Sequence, residues 1–407
     1  MELIYDAIVI GAGAAALFFG ALNKDKLNIL MLERNDRVGK KLLTTGNGRC
    51  NYTNTKLNEN PYNDKDFTSY IIEKYGYEVI KNKFQVMGIY PYMEEDRVYP
   101  MSLQASSVLD VLRYENERNN VNIKTDVFVK SFHKDVDIFI IKDQNANIYK
   151  SKSLVIACGG AAMPKFGSDA NLFKQIKELG ISVIDTKPAL VPYECDYKYL
   201  KHLDGLRVKA KLSLKKAGKI IKDDVDDVLF TKYGLSGPTV FQLSRYISGK
   251  ESAYKFSVDF FYTFNEDELF LILSDRRKDI GYKSLDDFFI GLIHKRLIIP
   301  VLDRLGLVKE TNAKNLSDKD LHKIINILKD FELDIIKNKG YGIGQISLGG
   351  VATKEINAKT MESKKINGLY FIGEVIDIDG PCGGYNLSFA WLSTMAAYDD
   401  IKLRCKA

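Results

Sequence analysis

The apolar run Ala7, Ile8, Val9 and Ile10 breaks at Gly11-Ala-Gly13-Ala-Ala-Ala16, and an Ala/Phe/Leu-rich stretch of helical character follows. The pattern predicts a strand, a glycine turn and a helix, then a second apolar strand over 27–32 that ends in Glu33. Helical spacing recurs over 66–83 and 103–118, and short strands are predicted over 121–124, 127–132 and 138–142. A buried strand at 153–157 then runs into Cys158-Gly159-Gly160. From Lys187 the pattern changes. Alternating segments at 206–214 and 254–260 predict antiparallel strands with one wet face, and 239–246 predicts a short helix. Amphipathic helices are predicted at 266–278, 285–304 and 318–336, with Asn265, Ser284 and Ser317 as N-caps. Glycine-rich turns return at 340–351, followed by a strand at 368–372 and a helix from Asn386 to about Tyr398.

The first turn carries chemistry. Gly11 permits the tight turn, Gly13 lets backbone approach a pyrophosphate, and Ala16 lets the helix pack closely on the strand. The helix start at Ala14 and Ala15 offers free N–H groups to phosphate. Glu33, with Arg34 beside it, lies about twenty residues on, where a carboxylate meets the ribose of an adenosine. Strand, helix, second strand and acidic end together specify an adenine dinucleotide; a lone glycine pattern would not.

A second polar stretch, 39–54, reads GKKLLTTGNGRCNYTN. It is too rich in glycine and small polar residues for regular structure and dense in donors suited to a long phosphorylated ligand. At the other end of the chain an apolar strand delivers Gly373-Glu374, and Gly383-Gly384 directly precede a helix, which builds a second N-terminus able to accept negative charge. A flavin dinucleotide needs a pyrophosphate turn, polar groups along the ribityl chain and a positive end near the N1–C2=O edge. All three are in the sequence, so FAD is the expected cofactor. No second dinucleotide fingerprint follows a strand in mid-chain, so NAD(P)H is expected only as a transient electron donor.

Length and charge refine this reading. At 407 residues the chain is long enough for two or three domains. The net charge of +6, from 59 basic and 53 acidic residues, reads as solvated faces, because no dense basic block is interleaved with aromatics; no nucleic acid is expected as partner. No stretch has the apolar length of a membrane span, and the start lacks the basic lead of a signal peptide. The five cysteines are scattered without metal or C-x-x-C spacing, which fits a reducing cytoplasm and no metal site.

At these motifs the chain resembles the BaiN-like, aminoacetone-oxidase-like bacterial flavoproteins. The resemblance rests on GAGAAAL, GKKLLTTGNGRCNYTN, RVYPMS, the CGG strand end with Pro164, PALVP, FTKYGLSGP, LGGV with TMESK, and above all GLYFIGEVIDIDGPCGGYNLSFAW. It implies an α/β protein with a Rossmann-type FAD-binding domain built from both chain ends, 1–187 and 340–407. Between them it implies an inserted domain, β-rich over 188–264 and helical over 265–339. It also implies positions along the cofactor: Gly11, Gly13, Ala14 and Ala15 at the pyrophosphate, and Glu33 at the ribose. Val127 would offer its backbone to adenine. Lys41, Thr45, Gly46, Asn47 and Asn51 would lie toward the ring, Gly159 near the pyrophosphate, Gly373 and Glu374 at the ribityl chain, and Gly384, Tyr385, Asn386 and Leu387 at the isoalloxazine. Two positions depart from the family pattern: Thr231-Lys232 stands where Thr-His is expected, and Ala162 where Ser is expected.

The catalytic group is not legible. Tyr385 either donates a proton or packs against the ring; Cys50 and Cys382 flank the flavin motifs without forming a redox pair; Lys232 could reach substrate. The leading expectation is an oxidoreductase passing hydride between FAD and a small organic substrate. A redox sensor that binds flavin without turnover and an FAD-dependent RNA-modifying enzyme are the alternatives. The oligomeric state is not encoded in any feature of the sequence.

Overall fold

The computed structural model describes residues 3–406. Two compact units emerge: residues up to Ala189 together with those from Tyr341 onward, and Leu190–Gly340. Each has its own buried apolar cluster.

The first unit is built on a seven-stranded sheet. The opening strand, Ile4–Ile10, pairs in parallel with Ile29–Leu32 on one side and Ile148–Ile156 on the other. Strands in a parallel sheet are covered on both faces, which is why these runs are continuously apolar rather than alternating. Asn122–Lys124 extends one edge; Ile138–Asp143 and Val129–Asp135 continue antiparallel on the other. Leu369–Phe371 joins in parallel beside Ile148–Ile156, so the far end of the chain enters the sheet close to where the chain began. The two ends also pack through their helices, Ala14–Ala21 and Tyr385–Lys406: Thr394 Oγ1 donates to the Ala15 carbonyl at 3.2 Å, and Phe18 lies 5.1 Å from Trp391. The helix predicted at 66–83 spans Lys65–Val86, interrupted at Gly76, where φ is +37°.

The second unit contains a closed six-stranded barrel and a group of helices. Asn265, Ser284 and Ser317 cap helices as the sequence predicts, each side chain accepting from the backbone N–H three residues on. Two predicted helices are corrected. The one over 285–304 is two, Leu285–Phe289 and Lys295–Leu305, parted by a turn containing Gly291 at φ +83°. The one over 318–336 ends at Lys329, and Phe331–Asn338 is a strand that pairs with both Tyr193–Asp196 and Tyr254–Asp259. Phe331, Leu333 and Ile335 point inward at period two, a pattern that adjoins the helical one without any breaker residue.

Among the described residues no helix is long and apolar enough to cross a membrane, and no cluster of three or more His, Cys, Asp or Glu is placed to hold a metal.

Candidate functional site

Gly11 turns at φ +101°, and a Cβ there would stand 2.5 Å from the Ala157 carbonyl oxygen. Only glycine fits between the first strand and the end of Ile148–Ile156. Gly13 differs: a Cβ would meet no atom within 4 Å, so the space in front of it is open. The first intrahelical bond behind it runs from Leu17 N–H to the Gly13 carbonyl, which leaves the N–H groups at the start of the Ala14–Ala21 helix without helical acceptors. An open glycine before free N–H groups is the cradle a pyrophosphate requires.

Glu33 is nearly buried, and its carboxylate is fixed in place. Oε2 accepts from Ala12 N–H at 2.8 Å; Oε1 accepts from the backbone N–H and side-chain Nδ2 of Asn35. Arg34 pairs with Asp169 at 2.7 Å and lies over the Phe128 ring. The expected role of Val127 narrows here, because its N–H is given to the Glu33 carbonyl at 2.9 Å, which leaves the carbonyl as its backbone group for adenine.

The polar stretch 39–54 is a short 3-10 segment, Leu42–Gly48, broken by left-handed Gly46 and Asn47. Thr45 bonds the Leu42 carbonyl through its hydroxyl, and Asn51 Oδ1 accepts from Val98 N–H. The segment then meets the second glycine turn. A Cβ on Gly384 would lie 2.4 Å from the Thr53 carbonyl oxygen and 2.8 Å from Asn51 Oδ1. Asn54 Nδ2 donates to the Gly383 carbonyl, Thr53 and Ser388 share a hydroxyl contact, and Trp391 Nε1 donates to the Tyr52 carbonyl. The first bond of the last helix runs from Ser388 N–H to the Gly384 carbonyl, leaving the N–H groups of Tyr385, Asn386 and Leu387 ahead of it. Asn386 also clasps Gly380 through both its amide atoms, so its side chain shapes the loop.

Lys41 and Glu374, 333 residues apart, form an ion pair at 2.6 Å. Glu374 Oε1 accepts from Ser347 N–H, and the Ser347 hydroxyl accepts from Ala161 N–H at 2.8 Å. Ser347 was not legible as a site residue; its one sequence signal is its place two residues before the paired glycines Gly349-Gly350. A Cβ on neighbouring Gly160 would strike that hydroxyl at 2.1 Å, and one on Gly159, at φ +75°, would crowd the Ser168 hydroxyl at 3.0 Å.

The catalytic candidates fare unequally. The Tyr385 hydroxyl donates to the Lys56 carbonyl at 3.2 Å, its ring packs edge-on against Tyr62, and burial raises its pKa. Cys50 is fully buried, and desolvation pushes its thiol up to about 12, which removes the reactive thiolate at neutral pH. Cys382 is half-buried and is not disulfide-bonded. Lys232 is exposed on the second unit, in the turn joining Lys219–Thr231 to Gly234–Ser236, where its N–H donates to Asp204.

Residues 5–399 match the model described as the HI0933-like protein Rossmann domain. The chain belongs to that family. Among its relatives, the 3-dehydro-bile acid delta(4,6)-reductase of Clostridium scindens is 30% identical over 393 residues, spanning 94% of this chain and 95% of its own length. The ribosomal RNA dihydrouridine synthase of Escherichia coli is 32% identical over 409 residues and 98% of both chains. In fold, the HI0933-like chain is similar to the 3-ketosteroid delta1-dehydrogenase from Sterolibacterium denitrificans, with a TM-score of 0.50 at 12% identity over 99% of this chain and 100% of the other. The Rossmann-type FAD fold read from the motifs is therefore established, and this member of the HI0933-like family is an FAD-dependent oxidoreductase.

Proposed function

We propose that this enzyme saturates a carbon–carbon double bond conjugated to a carbonyl, with NAD(P)H as the electron source. The observation that carries the reading is the joining of Gly383-Gly384 to Asn51, Thr53 and Asn54. On this reading the N–H groups of Tyr385 to Leu387, left without helical acceptors, would serve the N1–C2=O edge of a flavin, and their dipoles would favour the anionic reduced ring. FAD, when bound, supplies hydride transfer. Gly13 and the helix behind it would hold the pyrophosphate, Glu33 the ribose, and Lys41 with Glu374 the ribityl chain. Hydride goes to the carbon distant from the carbonyl, and the adjacent carbon takes a proton. The Tyr385 hydroxyl is already engaged with Lys56, so this proton comes from solvent or from the substrate's side of the site.

Both relatives' names describe such a saturation: one of a dienone in a bile acid, the other of the uracil ring in ribosomal RNA. A small unsaturated carbonyl compound is the first substrate reading. The uracil reading is favoured by a specific observation, that two relatives bearing the synthase name, from Escherichia coli and Haemophilus influenzae, match 98% and 97% of this chain. One experiment separates them. The flavin is reduced anaerobically with NADPH or NADH, and its reoxidation is followed with a 3-oxo-delta(4,6) bile acid and with ribosomal RNA transcribed in vitro. Rapid reoxidation by one acceptor, with the saturated product found by mass spectrometry, selects that substrate; a flavin that neither nicotinamide reduces overturns the donor assignment.

A further inference from the structure

In the sequence KLSLKKAGKIIKDDVDD five lysines run directly into four aspartates, so the stretch as a whole is close to neutral. The fold decides where each charge lies. Arg207–Lys216 and Lys219–Thr231 form a hairpin whose two-residue turn, Ala217-Gly218, takes positive φ at both positions, 49° and 77°. The register pairs Lys216 with Lys219, Lys215 with Ile220 and Leu214 with Lys222; the first aspartate, Asp223, is opposite Ser213. The outer rungs therefore hold Lys215, Lys216, Lys219 and Lys222 and no acid, while the aspartates lie toward the barrel.

Two of those aspartates are held by other cations. Asp223 pairs with Lys211 at 3.2 Å, and Asp227 pairs with Arg207 at 3.1 Å. Of the tip lysines, Lys215 is neutralised by Asp330 and Glu332. Lys216 rests on the ring and hydroxyl of Tyr254, Lys222 lies over the ring of Tyr246, and Lys219 forms no ion pair among the described residues. Lys216, Lys219 and Lys222 thus form no close ion pair among the described residues, although the charge of Lys222 also acts on the half-buried Asp224. Beside them Tyr246 is 43% exposed, and Ile220 and Ile221 are 55% and 47% exposed.

We propose that this hairpin tip is a docking arm for structured RNA, with Lys216, Lys219 and Lys222 on the phosphate backbone and Tyr246 available to stack on an unpaired base. It rests on the uracil reading above. A hairpin tip anchored on the barrel by the pairing of Lys211–Lys216 with Tyr254–Asp259, carrying lysines without close ion pairs beside an exposed aromatic, combines the phosphate contact and the stacking surface that RNA recognition uses. An anionic lipid surface would also attract lysine and isoleucine, but offers Tyr246 nothing to stack on.

The test uses the full-length, FAD-loaded enzyme and the variants Lys219→Glu/Lys222→Glu, Lys219→Gln/Lys222→Gln and Tyr246→Ala. All three alter exposed side chains remote from the FAD motifs in sequence, and bound flavin and its reduction by NADPH serve as the check that they fold. Binding to ribosomal RNA transcribed in vitro is measured over a range of salt, beside binding to phosphatidylserine vesicles. The expected result is at least tenfold weaker RNA binding by the glutamate pair. The glutamine pair should lose about 0.7–0.9 of salt slope per lysine, or about 1.5 in all, and Tyr246→Ala should weaken binding about tenfold or more with the slope unchanged. If the unaltered enzyme binds and saturates RNA but the lysine variants behave like it, the docking arm is wrong and the uracil reading stands. If the unaltered enzyme binds vesicles and not RNA, or neither binds nor modifies RNA, both fall together.

Discussion

Gly11 and Gly13 stand two residues apart and do different work. At Gly11 the strained φ and the 2.5 Å approach to the Ala157 carbonyl make the fold itself depend on glycine. Gly11→Ala should therefore cost about 2 kcal/mol or more in stability, from backbone strain and overpacking together. Gly13→Ala fills open space, so the apoprotein's melting should hold within about 0.5 kcal/mol. Yet the added methyl would lie at the proposed pyrophosphate site, and FAD affinity should drop about a hundredfold, equivalent to about 2.7 kcal/mol. Thermal melting without FAD and a flavin titration separate the two; equal loss of stability in both variants would refute the distinction. Cys50 gives a second residue-level expectation. With its thiol buried and its pKa raised to about 12, it should resist thiol reagents at pH 8 in the folded protein, and Cys50→Ala should leave flavin reduction within about twofold. Loss of reduction with FAD still bound would restore cysteine to the mechanism.

Among the elements, those governed by local rules are the ones the sequence discloses. Asn265 and Ser317 each close a capping box with Glu268 and Asp320, and both were identifiable from residue type and spacing alone. Replacing either with Ala should lower stability by about 1 kcal/mol, read from urea midpoints of the full chain. What the sequence hides is decided by distant partners. Phe331–Asn338 follows a helix without a breaker, and only its two neighbouring strands make it a strand. Ser347 matters because Glu374 and Ala161, 213 residues apart in sequence, converge on it, a juxtaposition no local pattern encodes. The lysine tip is concealed in the same manner, since only the hairpin register shows which lysines lie beyond the first aspartate. The turn Thr353–Glu355 adds a pH dependence. A hydrogen bond from Ser182 and the ion pair with Lys365 at 2.9 Å hold the Glu355 carboxyl down to about 2, against an ordinary 4.5. A depressed value means that the stabilisation is present above pH 4.5 and is lost as pH falls toward 2. Glu355→Gln should lower the urea midpoint at pH 7 and flatten its decline between pH 4.5 and 2; parallel profiles for the two proteins would contradict this.

For the molecule as a whole, the way Leu190–Gly340 is joined matters most. Tyr193 pairs with Asn338, and Lys339 N–H donates to the Pro192 carbonyl, so this unit begins and ends on neighbouring strands. It has its own buried cluster, from Val191 to Ile335. On the other side of the junction, Val183–Ala189 pairs with Ile346–Val351, and the Tyr341 hydroxyl donates to the Thr186 carbonyl at 2.6 Å. Each unit is therefore closed by its own hydrogen bonds where the chain passes between them. A polypeptide of residues 190–340 should fold cooperatively by itself, with a single urea transition seen by circular dichroism and fluorescence. Residues 1–189 joined to 341–407 by a short Gly/Ser linker should still bind FAD, because the residues assigned to the pyrophosphate, ribose, ribityl chain and flavin edge all lie on that side. The linked protein should show the flavin spectrum and accept electrons from the nicotinamide, while turnover with either acceptor should drop at least a hundredfold if the excised unit holds the substrate. A linked protein without flavin would mean that the cofactor site depends on the excised unit; one that retains full turnover would put substrate recognition, and with it the lysine-tipped hairpin, outside the reaction.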